Sequence, residues 1–318
     1  MFKARYVIIP VVATTIVAAI ATPIIINVVR ANNVVVPEIS GDISEYMPPS
    51  DDIESRYEQI KNSDKDFTKL KPSEAIYMAY NLFGKEETTA SIGVGNTKTR
   101  MLFEITQNIN TFTVHRDNKF MEESISTGTI NIYDRMYQEG NSTTKYWGEN
   151  KDYSKDKPET VTNQAYEEAM GRKVSDPLVY VVSEKTVINE DKSGKGLSKI
   201  SKLENGYEID VELDPIASVV NYQKQMKTIS DLDSYPVFHF CHLYVQTDLD
   251  LNLHYMTTYE SYDAVATKPF KIRSTCTGSL TTVYLTPKID PCAWVNPTDP
   301  LYDYPKNSGD LLKKFNLE

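Results

Sequence analysis

The stretch Lys202-Leu203-Glu204-Asn205-Gly206-Tyr207-Glu208-Ile209-Asp210-Val211-Glu212-Leu213 carries the clearest local signal in the chain. Asn-Gly is the pair favoured at two-residue hairpin turns, where both central positions need positive φ. The run after it alternates at every step, so Tyr207, Ile209, Val211 and Leu213 share one strand face and Glu208, Asp210 and Glu212 the other. A strand with one apolar face has to bury it against a second layer.

The same period of two extends in both directions. Downstream it fills Val237–Thr247, Leu251–Val265 and Phe270–Leu285, joined by short turns at Leu249-Asp250 and Thr267-Lys268-Pro269. Upstream it fills Glu87–Glu149, as in Met101-Leu102-Phe103-Glu104-Ile105-Thr106 and Phe112-Thr113-Val114, with turn clusters at Asp117-Asn118 and Gly140-Asn141-Ser142. Two antiparallel meanders are the simplest account. Helical spacing appears in between: Ile76, Ala79, Tyr80 and Phe83 follow the start signal Pro72-Ser73-Glu74 and end at Gly84, and Val161, Ala165, Ala169 and Met170 precede Gly171. Asp176-Pro177 and Asp214-Pro215 each read as an N-cap followed by proline at the first helical position, the second helix running through Tyr222, Met226 and Ile229. The pattern predicts an α+β fold, an antiparallel sheet of two meanders over a few helices.

The N-terminus sets the compartment. Tyr6–Val29 is uncharged for 24 residues, flanked by Lys3 and Arg5 before and Arg30 after, long enough to cross a hydrocarbon core as a transmembrane helix. Charge before the span predicts the N-terminus inside and the C-terminus outside; a cleaved export signal is the alternative, and it too exports the rest. Residues 31–318 hold 31 basic and 44 acidic side chains, a net −13, which argues against nucleic acid as a partner. Residues 31–70, rich in Asp, Glu, Ser and Pro, read as an acidic stalk with room for a short helix around Ile53–Lys61. The folded domain is expected over 71–286, and five prolines between Pro287 and Pro305 make 287–318 a tail unable to continue the sheet.

No constellation for catalysis stands out. His239-Phe240-Cys241-His242 resembles a ligand set, but alternation puts His239 and Cys241 on one face and His242 on the other, leaving too few convergent ligands for a metal. Ser142-Thr143-Thr144-Lys145 has Ser-x-x-Lys spacing, yet it follows a hairpin turn and lacks the partner motifs of that chemistry. Asp248-Leu249-Asp250-Leu251-Asn252 lacks the glycine and terminal glutamate of a calcium loop and reads as a tight turn. No cofactor is implied. Among the cysteines, Cys241 and Cys276 fall on strands separated by a third, beyond disulfide reach, so the expected pair is Cys276–Cys292.

A helix, a long meander, a helical insert and a second meander on an exported chain is similar to the lipoprotein-carrier (LolA-like) superfamily, over about Lys71–Thr286. The residues carrying the resemblance are the Asn205-Gly206-Tyr207-Glu208-Ile209-Asp210-Val211 hairpin strand, the helix from Asp214 to Ile229, and Tyr244-Val245-Gln246-Thr247-Asp248-Leu249-Asp250-Leu251. The resemblance implies a strongly curved sheet around helices, with an apolar cavity between them that takes acyl chains. The chain departs from the envelope lipoproteins of that family in lacking an acylated N-terminal cysteine, for which the membrane span at residues 6–29 could substitute. Apolar stripes on helices and strands mark the expected wall: Ile76, Tyr80, Phe83, Val219, Val220 and Met226 from helices, and Met101, Phe103, Ile105, Ile209, Val211, Leu243 and Val245 from strands. The expected function is non-catalytic binding of a lipid-like amphiphile outside the cytoplasm. The alternative is a cell-surface module that contacts protein or polysaccharide through its sheet.

Overall fold

The computed structural model describes residues 30–37, 43–116, 119–129, 131–148, 158–173, 176, 178–230, 232–266 and 271–286. Two helices come first, α1 (Ser50–Lys61) and α2 (Pro72–Gly84). Six strands follow: β1 (Thr88–Arg100), β2 (Glu104–Arg116), β3 (Lys119–Gly128), β4 (Ile132–Glu139), β5 (Ser142–Gly148) and β6 (Glu159–Thr162). After α3 (Asn163–Met170) come the short β7 (Val187–Ile188), β8 (Lys199–Lys202) and β9 (Tyr207–Leu213). The chain continues through α4 (Val220–Ser230) into β10 (Val237–Thr247), β11 (Leu253–Ala266) and β12 (Ile272–Leu285).

All pairings are antiparallel, and the strands form one curved, unclosed sheet in the order β6-β5-β4-β3-β2-β1-β12-β11-β10-β9-β7, with β8 also on β9. The two expected meanders are thus halves of a single sheet, fused where β1 pairs β12 from Ala90↔Leu285 to Arg100↔Thr275. Gly95 lets the two backbones approach at this seam, since a Cβ there would lie 2.2 Å from the Ser279 carbonyl oxygen. The hairpin around Asp250 forms as read, with Leu251 at positive φ and the Asp248 carboxylate accepting the backbone N–H groups of Asp250 and Asn252.

The main core fills the β9–β11 half. Tyr207, Ile209, Val211 and Leu213 stand beside Leu243 and Val245, and α1 and α2 close over them. The α2 terminus is held by Glu74, whose carboxylate accepts the Lys71 backbone N–H at 2.9 Å. Here the stalk expectation for 31–70 is corrected from Ser50 onward. Ile53, Tyr57 and Ile60 of α1, with Phe67 and Leu70, are buried in this core. Tyr57 stacks on Phe67 at 5.1 Å and donates to the Asp250 carbonyl at 3.0 Å. Three apolar residues at helical spacing within an acidic, proline-flanked stretch were enough to make α1 amphipathic.

The expected helix after Asp176-Pro177 is absent from the described residues. From Leu178 to Ser183 the β-branched run is irregular and hooks onto the chain before α4, where the Val181 N–H donates to Ser218 O at 2.8 Å. At the second Asp-Pro, Asp214 Oδ1 accepts the Ile216 and Ala217 N–H groups at 2.8 Å each, but regular helix starts only at Val220. A second apolar cluster, Ala90, Ile92, Phe112, Val114, Met121 and Leu285, lies on the sheet face opposite α2. Among the described residues no helix is long and apolar enough to cross a membrane. The expected span at 6–29, the tail at 287–318 and Cys292 of the expected disulfide lie outside the described residues; Cys276 is buried, its Sγ 3.4 Å from Thr99 Oγ1.

Candidate ligand cavity

A cavity of about 780 Å³ opens over the other half of the same sheet face, between β1–β4, β11 and β12 below and α2, Arg172, Lys173, Asp176, Leu178 to Tyr180 and α4 above. That is within the roughly 300–1,000 Å³ common for small-molecule sites. Both sides mix apolar and polar side chains. The upper side sets Phe83, Leu178, Val179 and Ile229 among Asn81, Arg172 and Gln225. The sheet side is rich in hydroxyls, including Thr89 and Ser91 of β1, Thr111 and Thr113 of β2, Ser124 of β3 and Thr282 of β12, interleaved with Ile109, Phe120, Ile132, Met256 and Leu280.

Alternation explains how one sheet face changes character. In β9 and β10 the apolar members of each strand face the helices. In β1 and β2 the parity is reversed: Ala90, Ile92, Phe112 and Val114 point to the opposite face, which leaves Thr89, Ser91, Thr111 and Thr113 toward the cavity. Gly93 makes room in that floor, for a Cβ there would meet Thr111 Oγ1 at 2.2 Å. Ser91 and Thr113 bond each other across the strands at 2.6 Å. Thr89 and Thr282, only 6% and 8% exposed, have no side-chain partner among the described residues.

Charged groups stand in the walls. Glu260 projects from β11 opposite Gly278, and its two carboxylate oxygens accept from Tyr180 Oη at 2.6 Å and Tyr222 Oη at 3.2 Å. Burial pushes the Glu260 carboxyl above the usual range, outweighing the two phenol hydrogen bonds that favour its charged form. Burial also raises Glu122 on β3, against the attraction of the Arg172 guanidinium. Asp134 on β4 is paired with Lys145 at 3.0 Å. Arg172 is itself tied down, donating to Gln225 Oε1 at 2.8 Å and the Asp176 carbonyl at 2.8 Å. Tyr80 and Tyr284 share a 2.9 Å hydrogen bond where α2 meets the floor. Such a site can lay an apolar body along the helical side and a polar group on the sheet.

Of the expected wall, Tyr80 and Phe83 line this cavity. Ile76, Ile209, Val211, Val219, Leu243 and Val245 are instead packed shut in the main core. Val220 and Met226 are half-buried on α4, Met226 against that core, and Ile105 is buried on β2 away from the cavity lining. Met101 and Phe103 sit at the β1–β2 turn, where Phe103 is 46% exposed. Selecting the most apolar face of each element found the solid core. The missed residues are the hydroxyl floor, Glu122, Glu260, Arg172, Tyr180 and Tyr222, and the available signal was Thr-x-Ser and Thr-x-Thr on the polar parity of β1 and β2.

No protein-family model matches the sequence, and no curated protein matches it. Solved structures similar to the chain include the lipoprotein LppX of Mycobacterium tuberculosis, at 8% identity and a TM-score of 0.32, covering 67% of this chain and 93% of that one. A DUF1329 family protein of Desulfovibrio piger is similar at 8% identity and a TM-score of 0.26, covering 67% and 92%. A LolA superfamily protein of Nitrosomonas europaea is similar at 9% identity and a TM-score of 0.21, covering 68% and 92%. At these values the likeness is loose, and what the chain binds has to be read from its own side chains.

Proposed function

We propose that the chain is an extracytoplasmic, membrane-tethered binding domain that holds an amphiphile in the cavity without transforming it. The observation that carries this reading is the cavity of about 780 Å³, in which apolar side chains such as Phe83, Leu178, Val179 and Leu280 face the same space as a row of sheet hydroxyls. The uncharged stretch Tyr6–Val29 between Lys3, Arg5 and Arg30 supplies the tether. The folded body begins by Ser50, so the spacer between membrane and domain is shorter than residues 31–70.

Binding of N-phenyl-1-naphthylamine, which fluoresces in apolar surroundings, tests the reading on the full chain. Wild type and Phe103→Trp take it up stoichiometrically. Ser124→Trp, which puts an indole into the cavity from a strand position that favours aromatics, binds it at least about ten-fold more weakly. Equal uptake by all three proteins, or none by wild type, sinks the reading.

Glu122 and Glu260 favour a second one, since two carboxyls shifted upward in one cavity are the equipment of acid catalysis. A bound molecule recovered chemically changed by wild type and unchanged by Glu260→Gln would establish it.

A further inference from the structure

The helices leave one part of the sheet face covered and one part hollow, and the boundary coincides with a change of residue type. Under the main core the inward positions are Ile209, Val211, Leu243 and Val245; over the cavity threonine and serine predominate, interleaved with Ile109, Phe120, Ile132 and Leu280. Threonine and valine have nearly the same shape, so a sheet that only needed to fill space or face acyl chains gains nothing from the hydroxyl. A hydroxyl that opens into a cavity has to be matched by whatever fills it, and leaving it unmatched costs about 1–3 kcal/mol. Thr89 and Thr282 are more than nine-tenths buried, line the cavity and have no side-chain partner among the described residues. Their hydroxyls await a group that can both give and accept hydrogen bonds.

Charge narrows that group further. The cavity lining mixes Glu122, Asp134, Asp176 and Glu260 with Lys85, Arg172 and Lys173. Asp134 pairs Oδ2 with Lys145 and leaves Oδ1 buried without a partner among the described residues, while Arg172 directs Nε to Gln225 and Nη1 to the Asp176 carbonyl. A phosphate on the floor would lie among the carboxyl groups of Glu122, Asp134 and Glu260, and a quaternary ammonium has no N–H to give to the Asp134 and Glu260 oxygens.

From the hydroxyl-rich floor and the acceptor oxygens of Asp134 and Glu260 beside it, and resting on the amphiphile reading above, we infer that the group laid on the sheet is uncharged and hydroxyl-rich, a sugar or polyol headgroup. Its hydroxyls pair with Thr89, Thr111 and Thr282 and with the outer lone pairs of Glu260, while its apolar chain lies against Phe83, Leu178 and Val179.

Equilibrium dialysis of the full chain with four probes, each below its micelle concentration, tests this: octyl glucoside, 1-octanol, octyl phosphate and free glucose. Wild type binds octyl glucoside at least about ten-fold more tightly than 1-octanol or octyl phosphate. The triple isostere Thr89→Val/Thr111→Val/Thr282→Val keeps its 1-octanol affinity and loses that margin. An unchanged thermal melting point shows the isostere to be folded. Octyl glucoside and 1-octanol binding alike, octyl phosphate binding best, or a margin that survives the triple substitution overturns the inference and leaves the amphiphile reading standing. Free glucose binding as tightly as the glucoside keeps the headgroup chemistry and shows a free saccharide as its source. No binding of any probe overturns both readings.

Discussion

Glu260 is held out of bulk water by the sheet on one side and two phenols on the other. A buried acid that keeps its proton more tightly when folded makes the folded state bind more protons than the unfolded one. Stability then falls as pH rises from the unfolded glutamate value, roughly 4.3, to the raised folded value. Glu260→Gln removes its share of that fall, while Glu122 and Glu212, raised in the same direction by burial, retain theirs. Urea midpoints between about pH 4 and about pH 8 should decline less steeply in Glu260→Gln than in wild type. Parallel curves would show that the carboxyl titrates normally. On the opposite sheet face Arg135 and Glu123, 5% and 3% exposed, form a buried ion pair, Arg135 Nε donating to Glu123 Oε2 at 3.1 Å. Arg135→Met takes the guanidinium away from the buried glutamate and should cost about 3–5 kcal/mol by chemical denaturation, with most of the loss recovered in Glu123→Leu/Arg135→Met. A loss under about 1 kcal/mol in the single variant would contradict the pairing.

At the scale of elements, α1 bears most on where the domain starts. Tyr57 stacks on Phe67, Phe67 meets Tyr207 edge-on at 5.8 Å, and Tyr207 Oη donates to the Lys65 carbonyl at 2.7 Å. The hairpin strand that reads most clearly in the sequence is therefore covered by the stretch that reads least clearly. Tyr57→Ala should cost about 3–5 kcal/mol, the value for emptying a large aromatic from a core, measured by chemical denaturation. A change within about 0.5 kcal/mol would restore the stalk. Composition misled here because α1 is acidic on three sides and apolar only at Ile53, Tyr57 and Ile60. The Asp-Pro at 176 misled for a different reason. Its residues follow the start signal, but Val179, Val181 and Val182 disfavour helix and Val181 finds its partner at Ser218, 37 positions away in sequence.

Across the whole molecule, the downstream period-two runs became strands with nearly the expected bounds, because alternation is a local property, whereas Met101–Phe103, read as strand, forms the turn between β1 and β2. The joining of the two meanders through β1 and β12 depends on pairing between ends of the domain nearly two hundred residues apart, which no local pattern encodes. The cavity was legible only in reverse. Apolar stripes marked where helices close on the sheet, as at Ile209 and Leu243, whereas the hollow lies over residues whose polarity suggested solvent, as at Thr111 and Ser124. A face that is polar without being open to bulk water is what an amphiphile needs and what a solid core does not.

The most direct measurement is organic extraction and mass analysis of the full chain isolated from its own membranes, with Ser124→Trp isolated in parallel. The account predicts a stoichiometric amphiphile bearing an uncharged, hydroxyl-rich headgroup on wild type and little of it on Ser124→Trp. Wild type free of any amphiphile, or the same amphiphile carried equally by both proteins, would contradict the claim that this cavity is the binding site.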